Sequence, residues 1–240
     1  MVTADTAGAA DTAGAAGAAI GVRVAPWARV GFGLLMGASL VIIRHTPGVR
    51  SSDSDVTSFY AGDRIRPLEI TVLYLLPLAG MCFLWFTGVL RYRLRLVEGS
   101  RVGLIATVQF AAGIIFLALL FAAGAGFGAG IATRLAGTQL PDAASLREII
   151  ALSDALLFIY ASRAGAMFVL TTSMVGMRTG TLPRWLGYVG LLTGLVLMFF
   201  ASRSLLYVLV FPAWVLIISA DQLRRRHTGA AEMSGKLNEA

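Results

Sequence analysis

Arg163 is the side chain least suited to its surroundings, a permanent cation inside the apolar stretch from Leu156 to Phe168. A guanidinium is a planar fork of donors that matches phosphate and carboxylate groups, so its natural chemistry is anion binding. Read as a helix from residue 150, the stretch puts Arg163 about 20 Å along, near a bilayer centre. There an arginine costs roughly 2.5 to 3.5 kcal/mol, so it is expected to face the bundle interior or a wet cavity. A helical projection places Ser153, Tyr160 and Thr171 within about 80° of it, with Met167 interrupting the polar stripe. Asp154 falls half a turn away and about 13 Å higher. Gln109 and Tyr74 are the neutral candidates from other helices, whereas Glu69 and Asp221 mark helix ends. A cation with no carboxylate at its depth points to a site for a lipid phosphate or a substrate carboxylate. The alternative is that Arg163 donates to helix-end carbonyls, tyrosine hydroxyls and Gln109, and so fixes packing without a ligand.

Other chemistry is sparse. Arg91, Arg93 and Arg95, with Arg101, form a basic cluster that either holds anionic lipid headgroups or sets topology. Cys82 is the one cysteine, and His45 and His227 are the two histidines. That inventory predicts no disulfide, metal centre or cofactor. With no nucleophile beside a base, an enzyme is not expected. The run from Gly124 to Gly130 ends an apolar span and follows no strand, so it is not a phosphate loop.

The elements that must position these residues follow from composition. Of 240 residues, 57% are hydrophobic and 14% charged, with mean hydropathy +0.77. Disorder and a soluble enzyme are excluded, because apolar residues arrive in runs long enough to cross hydrocarbon as helices. Six spans are predicted, at 26–43, 68–90, 102–127, 150–176, 185–201 and 204–220, giving an all-α polytopic bundle over 26–221. The last two should form a tight hairpin, with only Ser202 and Arg203 between them. Arg29 should lay its stem along the first helix and its guanidinium among headgroups. Residues 1–25, rich in Ala and Gly, and the basic 222–240 read as disordered tails. The net charge of +7 does not indicate nucleic acid, because the basic residues cluster at the ends of apolar runs. With the N-terminus inside, twelve Lys and Arg fall on the cytoplasmic side and seven opposite. Both termini are therefore expected in the cytoplasm. The Arg, Ala and Gly bias indicates a GC-rich bacterial genome, hence a bacterial plasma membrane.

Local signals set some boundaries. Pro183 opens the fifth helix, where its missing N–H is not needed. Ser51 to Asp55 is a cap-like stretch, leading into a short helix that could lay Val56, Phe59 and Tyr60 on the membrane surface. Gly33 and Gly37, Gly124 and Gly128, Gly126 and Gly130, and Gly190 and Gly194 recur at four-residue spacing. Such pairs let helices approach closely, and could also support a homo-oligomer.

Three segments, Pro77 to Arg91, Tyr160 to Phe168 and Arg178 to Leu186, resemble a widespread group of uncharacterised multi-pass membrane proteins of actinobacteria, of about six spans. The resemblance implies an arginine at the position of Arg163 as a common feature, and no assigned activity. The expected function is a non-enzymatic membrane binding or structural component that interacts with lipids. A small transporter of an anionic or amphipathic solute is the alternative, and a membrane-embedded lipid-modifying enzyme the weakest reading. No repeat relates the first three spans to the last three.

Overall fold

The computed structural model describes residues 27–97, 102–204, 206, 207, 209–221 and 224. The expected tails lie outside the described residues, Arg224 excepted. Among the described residues the chain is all helix and connecting loop, with no strand. We label the helices α1 (Trp27–Arg44), α2 (Asp53–Ala61) and α3, a continuous rod through Asp63–Ile65, Arg66–Ile70, a π-helical Thr71–Leu75 and Leu76–Val97. Then come α4 (Val102–Phe127), α5 (Ala129–Leu135) and α6 (Ala143–Arg178, π-helical over Ala155–Ala161). The last two are α7 (Arg184–Phe199) and α8 (Leu209–Asp221).

Four helices, in α1, α3, α4 and α6, are long and apolar enough to cross a membrane, and α7 and α8 are shorter apolar helices. Six spans were expected, the last two of about 17 residues and so near the lower limit. At 1.5 Å per residue the 16 residues of α7 reach only about 24 Å, short of a hydrocarbon core of about 30 Å. The chain leaves the helix at Phe200, whose backbone is extended at φ −103° and ψ 156°. It stays non-helical through Ser204, so a strap of at least five residues, in place of the expected two-residue turn, leads from α7 toward α8.

The fourth predicted span also begins earlier, because Asp142 caps it. Its carboxylate accepts from the Ser145 N–H at 3.3 Å and from the Ser145 hydroxyl at 2.7 Å. The Ser145 hydroxyl and amide hold the Asp142 carboxyl below its ordinary range. The extra turns of α6 pack against α2, whose N-cap Ser52 accepts from the Asp55 N–H. Val56, Phe59 and Tyr60 are buried, Tyr60 against Gly130 of α5, a correction to the expected membrane-surface helix. Tyr60 donates to the Phe127 carbonyl at 3.2 Å, Arg134 donates to the Tyr60 carbonyl at 3.2 Å, and Arg147 pairs with Asp53. We call this the upper end of the bundle.

The core is aromatic. Phe32, Phe83, Phe116, Phe168 and Phe211 come from α1, α3, α4, α6 and α8, with centroids 4.8 Å apart for Phe32–Phe83 and 5.1 Å for Phe83–Phe168 and Phe116–Phe211. Tilted and edge-on pairs of this kind contribute about 0.5 to 1.5 kcal/mol each beyond area burial. The paired glycines sit where helices close on one another. A Cβ on Gly33 would lie 2.7 Å from Leu216 of α8, one on Gly124 would meet Leu76 of α3, and one on Gly190 would meet Ser173 of α6.

Candidate functional site

Arg163 lies on the stripe of α6 that faces α7. Successive contacts fix the register between the two antiparallel helices: Gly187 against Met177, Gly190 against Ser173, and Gly194 against Leu170 and Ala166. One further turn would set Arg163 opposite Phe199 and Phe200, where α7 ends. The side chain therefore occupies the interhelical stripe at a height where the partner helix has run out. That explains its half-buried state, where the expectation was of an arginine facing the bundle interior or a wet cavity. The outward neighbours are apolar or amphipathic, with Ile159 38%, Tyr160 58%, Phe199 75% and Phe200 64% exposed. Nη1 donates to the Ile159 carbonyl at 2.8 Å, inside the π-helical segment. Among the described residues no second acceptor meets this guanidinium.

Arg163 also lies farther along its helix, 20 residues from its start and not 13, because α6 starts at Ala143. The strap beside it is exposed non-helical backbone, with Phe200, Ala201, Ser202 and Ser204 on the outside. Such backbone is not tolerated against hydrocarbon. Helical side chains lean toward the helix N-terminus, so the guanidinium leans toward the strap's level and the upper end.

The other residues predicted to surround Arg163 do not gather there. Tyr160 and Tyr74 point outward, Tyr74 from α3. Gln109 is buried and donates to the Thr172 hydroxyl at 2.8 Å, which itself donates to the Phe168 carbonyl at 2.6 Å. Thr171 donates to the Met167 carbonyl at 2.7 Å and Ser153 to the Ile149 carbonyl at 2.7 Å, each satisfied within α6. Of the basic cluster, the Arg91 guanidinium lies 4.4 Å from the centre of the Phe110 ring. Arg101 and the side chains of Arg93 and Arg95 lie outside the described residues. Arg29, expected among headgroups, is 6% exposed and lies 5.4 Å from the centre of the Phe86 ring. It borders a cavity of about 40 Å³ with Gln109 and Thr172.

Sequence reasoning missed Arg203, a highly connected charge. The strap carries it to the upper end, where Nη1 donates to Asp154 at 3.0 Å and Nη2 to the Ile43 carbonyl at 3.1 Å. Nη2 also reaches the Thr46 hydroxyl at 3.4 Å, and the guanidinium lies 5.7 Å from the Phe158 ring centre. Its partner Asp154 is 16% exposed and its Oδ1 has no hydrogen bond. The signal was present in the sequence as an acid inside an apolar run and a base between two others. Only the fold brings residues 49 positions apart together.

Compared with known proteins, the chain matches no family model, no curated protein sequence and no solved structure.

Proposed function

We propose that the chain is a multi-pass protein of a bacterial plasma membrane, kin to the actinobacterial group it resembles. It works by binding, not by catalysis, and its ligand at Arg163 is an anionic lipid headgroup. The observation that carries this reading is a guanidinium with a single acceptor, at the height on α6 where the register with α7 runs out into the exposed strap Phe200–Ser204. Exposed loop backbone belongs at headgroup depth, and headgroup depth is where phosphates are. The fork keeps free donors for two phosphate oxygens, while Ile159, Met167 and Phe199 offer acyl chains an apolar wall. Both termini lie in the cytoplasm. The orientation rests on the count of Lys and Arg, twelve on that side against seven opposite.

Transport has less support. The five packed phenylalanines fill the middle of the bundle, and Arg163 lies to the side of them.

The test is lipid retention. The purified chain in nanodiscs containing phosphatidylglycerol is compared with Arg163→Gln and Arg163→Lys by native mass spectrometry. The reading expects loss of bound phosphatidylglycerol in Arg163→Gln and partial retention in Arg163→Lys, which keeps charge without the fork. Unchanged lipid in Arg163→Gln with a lowered melting temperature would leave Arg163 a packing residue only.

A further inference from the structure

A second feature at the upper end is independent of Arg163. Between the end of α1, helix α2 and the start of α3 lies an open groove of about 410 Å³, within the 300 to 1,000 Å³ range of small-molecule sites. Its floor is apolar, formed by Ile42 of α1, Phe59 of α2 and Leu68 of α3, and its rim carries His45 and Arg64. Among the described residues Arg64 has no ion-pair partner, whereas its neighbour Asp63 is taken by Arg66 at 3.1 Å. The positive charge of the rim is thus uncompensated. His45 is oriented: Nδ1 lies 2.7 Å from the Val41 carbonyl. A carbonyl can only accept, so Nδ1 donates to it.

We propose that this groove binds a single-chain amphiphile with an anionic head, a carboxylate or a phosphate. The head pairs with Arg64, beside the His45 ring, and the chain lies along Ile42, Phe59 and Leu68. The groove's position fits such a ligand. Thr46, on its wall, is bonded to Arg203, so the rim stands near the strap's level, where a head meets water. Ile42, one turn lower on α1, leads toward the apolar zone. The floor supplies the hydrophobic contribution and Arg64 the selectivity for charge.

The proposal rests on the chain being a membrane protein but not on Arg163 binding lipid. The full chain is placed in nanodiscs of dioleoylphosphatidylcholine, and failure to co-migrate with them would overturn the membrane reading before any ligand is added. Dodecanoic acid bearing a diazirine is then photolysed with the sample and adducts are mapped by mass spectrometry. Adducts are expected on residues 41–46 and 59–68, suppressed by dodecyl phosphate but not by inorganic phosphate or dodecanol. Arg64→Gln should lower the yield about tenfold at subsaturating probe, a loss of about 1.4 kcal/mol. Ile42→Trp should block labelling by filling the groove while the melting temperature holds. Arg163→Gln should leave the pattern unchanged. Equal labelling in Arg64→Gln, displacement by inorganic phosphate, loss of labelling in Arg163→Gln, or adducts spread over outward residues such as Met81 and Leu104 would each overturn the proposal.

Discussion

The Asp154–Arg203 pair should hold the strap to the bundle, and its strength can be worked from its geometry. The two side chains are 16% and 28% exposed, so neither is fully hydrated. Breaking a fully buried pair costs about 3 to 5 kcal/mol, because the remaining charge is stranded. Residual solvent access lowers that to about 2 to 3 kcal/mol here. The two single substitutions should differ. Asp154→Ala leaves Arg203 with the Ile43 carbonyl and the Thr46 hydroxyl, so its loss is the smaller. Arg203→Ala strands a carboxylate whose second oxygen already lacks a hydrogen bond, and it also frees α1 from the strap. The double substitution should be less destabilising than the sum of the two, by about 1 to 2 kcal/mol. The assay is reversible unfolding in mixed dodecyl maltoside and sodium dodecyl sulfate micelles, run as a double-mutant cycle. An interaction below about 0.5 kcal/mol would refute the clasp.

The Tyr60 hydroxyl, pushed up to about 12 by burial and by the negative charge of Asp154, makes the upper end sensitive to alkali. The fold favours the neutral phenol, so its stabilisation is complete below pH 10 and falls as pH rises from 10 to 12, by up to about 3 kcal/mol. Tyr60→Phe should remove that dependence in a stability-versus-pH series, and an unaltered slope would refute it. Gly190→Ala would press a Cβ onto Ser173 and to 2.7 Å from Trp214 Nε1, whereas Gly88 has open space. Melting curves should show a loss of about 1 to 3 kcal/mol for the first and none for Gly88→Ala. In a Cys82→Ser background, Arg91→Cys should react with an impermeant maleimide only after cells are opened and Asp53→Cys in intact cells, and the reverse pattern would invert the orientation.

The one-dimensional pattern was enough for the helical class, for most boundaries and for the contact faces. Apolar runs report burial along a rod, Pro183 stops and starts a helix through its own φ, and glycines at four-residue spacing mark close approach. These causes are local and survive without neighbours. It was also enough to single out Arg163, since a cation in an apolar run is unusual in any fold.

Which way Arg163 opens was decided by where α7 ends, a property of a different helix. The position of Arg163 along its helix depended on Asp142 capping α6, which starts it seven residues before the expected 150. Arg203 looked like a loop charge because a two-residue gap hides the strap, and its partner lies across the bundle from it in sequence. Periodicity fixes the face of a residue on its own helix, but partners across helices depend on relative register and rotation. Those are set by the phenylalanine core and the glycine contacts acting together, and they exist only once the bundle has closed.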